Sequence, residues 1–152
     1  TDTDTGSTNH PPQTSPDLLS PGNGERVRVL TPAFKLENVS DPDGDKVFYE
    51  FEVYPGRGDS TAVASSGKVK AGNAGQTLWQ PDVPLPSAGS YVWKARAVDE
   101  HDAAGPWSGL FAFTIDLSKV NSDGCGCSTH AGGSGGLLVM AFIGLALLKR
   151  KR

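Results

Sequence analysis

The stretch VFYEFEV, residues 47–53, decides the fold class because its apolar and charged side chains alternate strictly. Tyr49, Phe51 and Val53 fall on one face, and two glutamates fall on the other. This is the period of two that a half-buried β-strand requires. The stretch YVWKARAV, residues 91–98, repeats the pattern. Both stretches predict strands that place one face in a core.

Further short apolar runs, separated by turn residues, extend the pattern of short predicted strands. The chain has 19 glycines and 11 prolines among 152 residues, and no segment of its middle part keeps a helical apolar period for three turns. Seven or so short strands in about a hundred residues are typical of an all-β antiparallel sandwich. The additional predicted strands lie at residues 27–30, 33–36, 62–66, 76–79 and 110–115.

Changes in composition divide the chain into four parts. Residues 1–15 are small, polar and proline-containing, which predicts a flexible linker. Residues 16–117 carry the strand pattern, and residues 118–136 form a second linker rich in Gly and Ser that holds both cysteines. Residues 137–152 predict a short hydrophobic helix followed by a basic tail.

Two longer stretches, LPSAGSYVWKARAVD (residues 85–99) and GPWSGLFAFTI (residues 105–115), resemble a bacterial fibronectin type III domain. In that immunoglobulin-like family a leucine six residues before a tyrosine marks a corner, here Leu85 and Tyr91, and the tyrosine hydroxyl ties the corner to nearby backbone. Trp107 matches the tryptophan before the last strand. Trp93 departs from the family, which often carries a smaller residue there.

The acidic turn DPDGD, residues 41–45, allows two interpretations. Asp, Pro and Gly are the residues that a β-turn demands. Asp41, Asp43 and Asp45 also alternate around a glycine, as oxygens that converge on Ca²⁺ would. In an immunoglobulin-like sandwich the residues after the sixth strand reach the same end, which adds Asp99. Calcium is the one cofactor that this pattern suggests.

Several function classes find no support in the sequence. Three histidines, His10, His101 and His130, have no serine or cysteine nucleophile placed near them by a known signature. The net charge is −3, and no basic stripe with interleaved aromatic residues is present. We therefore expect neither an enzyme in this chain nor a nucleic-acid partner.

The C-terminal segment combines GCGC, an apolar run at residues 137–148 and the ending KRKR. As a helix the run would measure about 18 Å, which is short for a hydrocarbon core of about 30 Å. A disulfide between Cys125 and Cys127 would close a tiny, strained loop. A metal site with His130 would lack a fourth ligand. The remaining interpretation is that a cysteine marks a site of cleavage and attachment.

In its three-part order this tail resembles the MYXO-CTERM sorting signal of exported myxobacterial proteins. The resemblance implies that a membrane protease cuts near the cysteines and leaves the protein at the cell surface, on the outer membrane. Because a thiol is readily acylated, we expect lipid on Cys125 or Cys127 to retain it there. Before cleavage the tail would sit in the inner membrane with its basic end in the cytoplasm.

The sequence thus predicts a non-catalytic, surface-attached spacer or interaction module from an exported bacterial protein. Its expected partners are the membrane and a tail-processing protease, with surface proteins or polysaccharide as further candidates. An accessory or stalk domain of a larger secreted hydrolase, or an adhesin, is the alternative.

Overall fold

Ten β-strands form two sheets in residues 8–56 and 58–118, the part of the chain that the computed structural model describes. They are β1 (Leu18–Ser20), β2 (Glu25–Val27), β3 (Phe34–Glu37), β4 (Val47–Tyr54), β5 (Ala64–Ser65), β6 (Val69–Lys70), β7 (Gln76–Trp79), β8 (Gly89–Asp99), β9 (Ala104–Trp107) and β10 (Phe111–Ile115). The described residues contain no helix. The prediction of an all-β sandwich is confirmed.

The two sheets have the order β1-β3-β7 and β2-β10-β8-β4-β5, with β6 paired to β4 and β9 paired to β8. All pairings are antiparallel except that of β2 with β10, which is parallel. The strands outnumber the seven expected because β1, β6 and β9 were not predicted. These strands are three, two and four residues long, too short to show the alternation on which the prediction relied.

The described residues include no helix long and apolar enough to cross a membrane. The apolar helix predicted at residues 137–148, the basic tail and both cysteines lie outside the described residues.

Strand β8 is the central strand of the larger sheet. It pairs with β4 along one side and with β9 and then β10 along the other. At about 3.3 Å per residue its length is about 33 Å. Asp99 stands opposite Val47 at one end, and Gly89 stands opposite Ile115 at the other. These two pairs therefore mark opposite ends of the sandwich.

The core is aromatic and centres on Trp93, which has no solvent exposure. Its ring centroid lies 5.1 Å from that of Phe34 in the facing sheet and 6.2 Å from that of Phe51 in its own sheet. Its indole N–H donates to the Pro21 carbonyl at 2.9 Å. Tyr91 and Phe113 are at most 3% exposed, as their alternation with polar neighbours predicts.

The predicted corner residues lie together at the Gly89 end of β8. Leu85 is 2% exposed. The Tyr91 hydroxyl donates to the Ser87 carbonyl at 2.8 Å, and the Ser87 N–H donates back to it at 3.3 Å. The hydroxyl is thus satisfied by backbone four residues earlier, and the connection into β8 is held against the core.

We expect Phe51→Ala to lower the free energy of unfolding by roughly 3–5 kcal/mol, because it removes a fully buried ring and leaves a cavity. Leu78→Ala on β7 is the matched control, since Leu78 is 55% exposed, and it should cost less than about 1 kcal/mol. Urea titration followed by tryptophan fluorescence measures both. Equal losses would contradict the assignment of Phe51 to the core.

Candidate functional site

Charged side chains from two loops meet at the Asp99 end of β8. We call this end the acidic pole and define it as residues 41–46, between β3 and β4, and residues 99–102, which comprise the last residue of β8 and the start of the loop to β9. These loops meet because β4 and β8 pair in a register that places Val47 opposite Asp99. The pole also forms a depression of about 340 Å³, lined by Asn9, Asp43, Asp45 and His101.

The DPDGD segment forms a tight turn organised by its first aspartate. The Asp41 Oδ1 atom accepts hydrogen bonds from the backbone N–H groups of Asp43 at 2.8 Å and Asp45 at 3.4 Å. Gly44 has a φ of 82°, a conformation that glycine adopts without steric cost. The turn interpretation therefore describes the backbone correctly, and it leaves open what the carboxylates bind.

The three alternating aspartates converge. Asp41, Asp43 and Asp45 each offer a carboxylate oxygen within 4.8 Å of the other two. Asp41 is only 9% exposed, and its Oδ2 atom is buried without a hydrogen-bond partner in the described residues. A buried carboxylate oxygen with no donor is costly, so this atom is the least satisfied polar group of the pole.

A second group of donors, Asp45, Glu100 and His101, meets the same distance criterion, but it is already paired internally. Lys46 Nζ lies 2.7 Å from Glu100 Oε2, and His101 Nε2 lies 3.5 Å from Asp45 Oδ2. The hydrogen bond from Lys46 lowers the pKa of Glu100, and the same contact raises the pKa of Lys46. Ion pairs between the two loops thus hold the rim of the pole.

Asp99, which the sequence adds to the calcium ligands, occupies a different position. It is fully buried and belongs to neither group of converging donors. Its Oδ1 accepts from the N–H groups of His101 at 2.9 Å and Ala103 at 2.8 Å, and its Oδ2 accepts from Asn9 Nδ2 at 2.8 Å. In this structure Asp99 shapes the turn between β8 and β9.

The first described residues also contact the pole, although the sequence pattern assigns residues 1–15 to a linker. The His10 N–H donates to Asp43 Oδ2 at 2.6 Å, and His10 Nδ1 lies 3.2 Å from both oxygens of that carboxylate. These hydrogen bonds lower the pKa of Asp43. Pro12 is fully buried, and its carbonyl oxygen lies 2.2 Å from where a Cβ on Gly105 would stand. The glycine at 105 permits this close approach.

Trp107, the expected match before the last strand, lies half-buried on the outer face of the larger sheet. Lys94 Nζ and Arg96 Cζ lie 4.2 and 4.6 Å from its ring centroid. Arg96 pairs in turn with Glu50 at 2.8 Å, and Lys94 pairs with Glu52 at 3.2 Å. The indole is thus stacked with cations of its own sheet.

The described histidines have acidic partners. His10 contacts Asp43 and His101 contacts Asp45, and within the described residues no hydrogen bond joins either ring to a serine or threonine hydroxyl. His130 and both cysteines lie outside the described residues. The arrangement at the pole can accept cations and N–H donors, and it offers no activated nucleophile.

No protein-family model and no curated protein sequence matches the chain. Several solved structures are similar in fold. A part of α-L-rhamnosidase from Dictyoglumus thermophilum matches with a TM-score of 0.54 and 22% identity, covering 70% of this chain and 13% of that enzyme. The chain therefore corresponds to a small fraction of the rhamnosidase's length.

Two smaller proteins match over nearly their whole length. CopC from Methylosinus trichosporium has a TM-score of 0.44 and 24% identity, covering 66% of this chain and 93% of CopC. The PKD domain of an M14-like peptidase from a Thermoplasmatales archaeon has a TM-score of 0.45 and 24% identity, covering 71% and 98%. The fold of the described residues, a β-sandwich, rests on their own strand pairing.

The buried Asp99 carboxylate should make the fold sensitive to acid. Burial opposes its ionisation, but the hydrogen bonds from Asn9, Ala103 and His101 outweigh burial and lower its pKa. Its stabilising contribution is complete above the unfolded aspartate pKa of about 3.9 and is lost as pH falls through the lower folded-state pKa.

Asp99→Asn should therefore destabilise the protein at pH 7, and the difference from the natural protein should shrink as pH falls below about 4. Thermal melts with chelator present measure this difference across the pH range. Asp59→Asn, at an exposed position, is the control that changes charge without removing a buried acceptor. A difference that stays constant with pH would contradict this role for Asp99.

Proposed function

We propose that this chain is a non-catalytic module of an exported bacterial protein, in which the sandwich is an in-line spacer and the C-terminal segment is a sorting tail. The sandwich is proposed to belong to the fibronectin type III group of immunoglobulin-like folds. Residues 1–15 and 118–136 are its proposed flanking linkers, although residues 9–12 already contact the fold.

The observation that carries the spacer role is the path of the chain through the sandwich. The chain arrives at the acidic pole, where Asn9 donates to Asp99 at one end of β8. It leaves after Ile115, which pairs with Gly89 at the other end. The two ends of β8 are about 33 Å apart. A module with this path adds its full length to whatever it connects.

The strand pairing near the exit suits a spacer that carries load. β2 runs parallel to β10, the last described strand. Tension applied along the chain would pull these two strands in opposite directions along their length, so their hydrogen bonds share the force and do not open one after another. The adjoining connection is also tied to β10, because the Ala112 N–H donates to Asn23 Oδ1 at 3.0 Å.

Support for the sorting tail comes from the sequence. The residues around Cys125 and Cys127 are rich in Gly and Ser, a composition that favours cleavage by a protease, and the apolar run is short for a membrane span. Four cations then end the chain, and cations favour the cytoplasmic side of a membrane. A lipid with two acyl chains, joined to one cysteine thiol, would supply lasting attachment, since two acyl chains hold a protein on a membrane where one does not.

A second candidate keeps the same architecture but assigns the function to another part of the protein. Here the sandwich is an accessory or stalk domain of a secreted hydrolase. The favouring observation is that a similar sandwich makes up 13% of a rhamnosidase chain. An adhesive role would require an exposed binding surface that recognises a surface protein or polysaccharide.

Stretching the protein between its ends should give one unfolding event for the sandwich. The expected gain in length is about 340 Å, the difference between about 110 extended residues and the folded span. Asn23→Ala should lower the unfolding force without changing this gain, because it removes a hydrogen bond beside the β2–β10 pair. Asn73→Ala, at an exposed position, is the control. Single-molecule force spectroscopy that gave gradual extension would contradict a load-bearing spacer.

The mature protein from its native host should lack the apolar run and the KRKR ending. Mass spectrometry should find a new C-terminus close to Cys125 or Cys127 and an acyl group on a retained thiol. Cys125→Ser and Cys127→Ser, made singly, identify the attached residue, and the double variant should be released from the surface. Recovery of residues 137–152 in the mature protein, with both thiols free, would reject the sorting tail. Peptides from upstream sequence would decide between spacer and hydrolase accessory.

A further inference from the structure

We propose that Asp41, Asp43 and Asp45 form a calcium site that, through Asp43, fixes the His10 segment to the acidic pole. The proposal goes beyond the spacer function, because it makes the stiffness of the junction before the sandwich dependent on a cation.

The first line of evidence is the geometry of the three carboxylates. Their oxygens lie within 4.8 Å of one another. Oxygen ligands bound to Ca²⁺ at 2.3–2.6 Å stand at most about 4.6–5.2 Å apart on opposite sides of the ion. One Ca²⁺ can therefore touch all three carboxylates with small side-chain adjustments, and the depression beside them has room for water ligands.

The second line of evidence is independent of the clustering. The turn uses Asp41 Oδ1 to bind two backbone N–H groups, which leaves Oδ2 for another partner. That atom is buried in a residue only 9% exposed, and nothing in the described residues donates to it. A polar atom so placed needs a positive or donating partner to offset its lost hydration. A divalent cation supplies one and also offsets the repulsion among three carboxylates.

Two neighbouring acidic groups are less suitable ligands. Glu100 lies 2.7 Å from Lys46 Nζ, so its charge is matched by a lysine. Asp99 accepts three hydrogen bonds that shape its own loop. The structure thus favours the turn aspartates over the set that includes Asp99.

Asp43 connects the ion to the segment that precedes the sandwich. It accepts a hydrogen bond from the His10 N–H at 2.6 Å and contacts the His10 ring at 3.2 Å. An ion that fixes the Asp43 carboxylate also fixes this acceptor, so the His10 segment should open less often when Ca²⁺ is bound. The junction would be stiff in calcium and looser without it.

The test measures the melting temperature of the full chain by tryptophan fluorescence in chelator and in about 10 mM Ca²⁺. For an affinity typical of extracellular modules, Ca²⁺ should raise the melting temperature by roughly 5–15 °C. Asp41→Asn should abolish this rise while melting in chelator at the same temperature as the natural protein or higher, because it removes one of three repelling charges. Asp59→Asn should leave the rise intact.

Hydrogen exchange tests the coupling separately. Ca²⁺ should slow amide exchange in residues 9–12 several-fold, and Asp43→Asn should remove that protection. Equal melting temperatures in Ca²⁺ and chelator would overturn the site, as would an equal rise with Mg²⁺. Loss of the rise in Glu100→Gln, with Asp41→Asn unaffected, would also overturn it. A calcium-dependent melt without slower exchange in residues 9–12 would overturn the coupling.

Discussion

Burial of the Trp93 indole between the two sheets is the interaction on which the rest of the structure depends. An indole in a core needs apolar contact on its faces and an acceptor for its N–H. Phe34 and Phe51 supply the contacts, and the carbonyl of Pro21 supplies the acceptor. One side chain therefore joins β8, the facing sheet and the connection between β1 and β2.

Contacts with this core fix the positions of the two loops that form the acidic pole. Tyr49 points inward from the middle of β4, and its hydroxyl accepts a hydrogen bond from the Val39 N–H at 2.7 Å. The loop that carries the three aspartates thus starts from a residue fixed to the core. Asp99, buried at the end of β8, fixes the opposing loop. Few residues in either loop are free to move away from the neighbouring charges.

The sequence predicted those features that depend on local alternation. The patterns in β4 and β8 identified the core face correctly, because a strand with one buried face must repeat every two residues. Contacts between distant residues left no such periodic signal. Asn9 binds Asp99 ninety positions away, and His10 binds Asp43 thirty-three positions away, so the first contacts of the chain looked like linker. The role of Asp99 could not be predicted either. The sequence pattern is identical for an aspartate that faces solvent and for one that accepts hydrogen bonds from backbone N–H groups.

Some missed features did carry a signal. Lys94 and Arg96 alternate on the polar face of β8, and Trp107 on the paired strand β9 stands opposite Arg96, which places the indole on the same face. The paired prolines after His10 were also informative, because a stiff segment directly before a sandwich loses little entropy when it docks.

The shortness of β5 and β6 has a consequence for how copies of this protein coexist. Each is two residues long and together they form one outer margin of the larger sheet. An exposed margin of unpaired N–H and C=O groups is a template on which a neighbouring molecule can add a strand. Two interrupted pairs of residues offer too little continuous backbone for that addition. Molecules crowded side by side can therefore remain separate, and the sheet edge contributes little to fibre formation or precipitation.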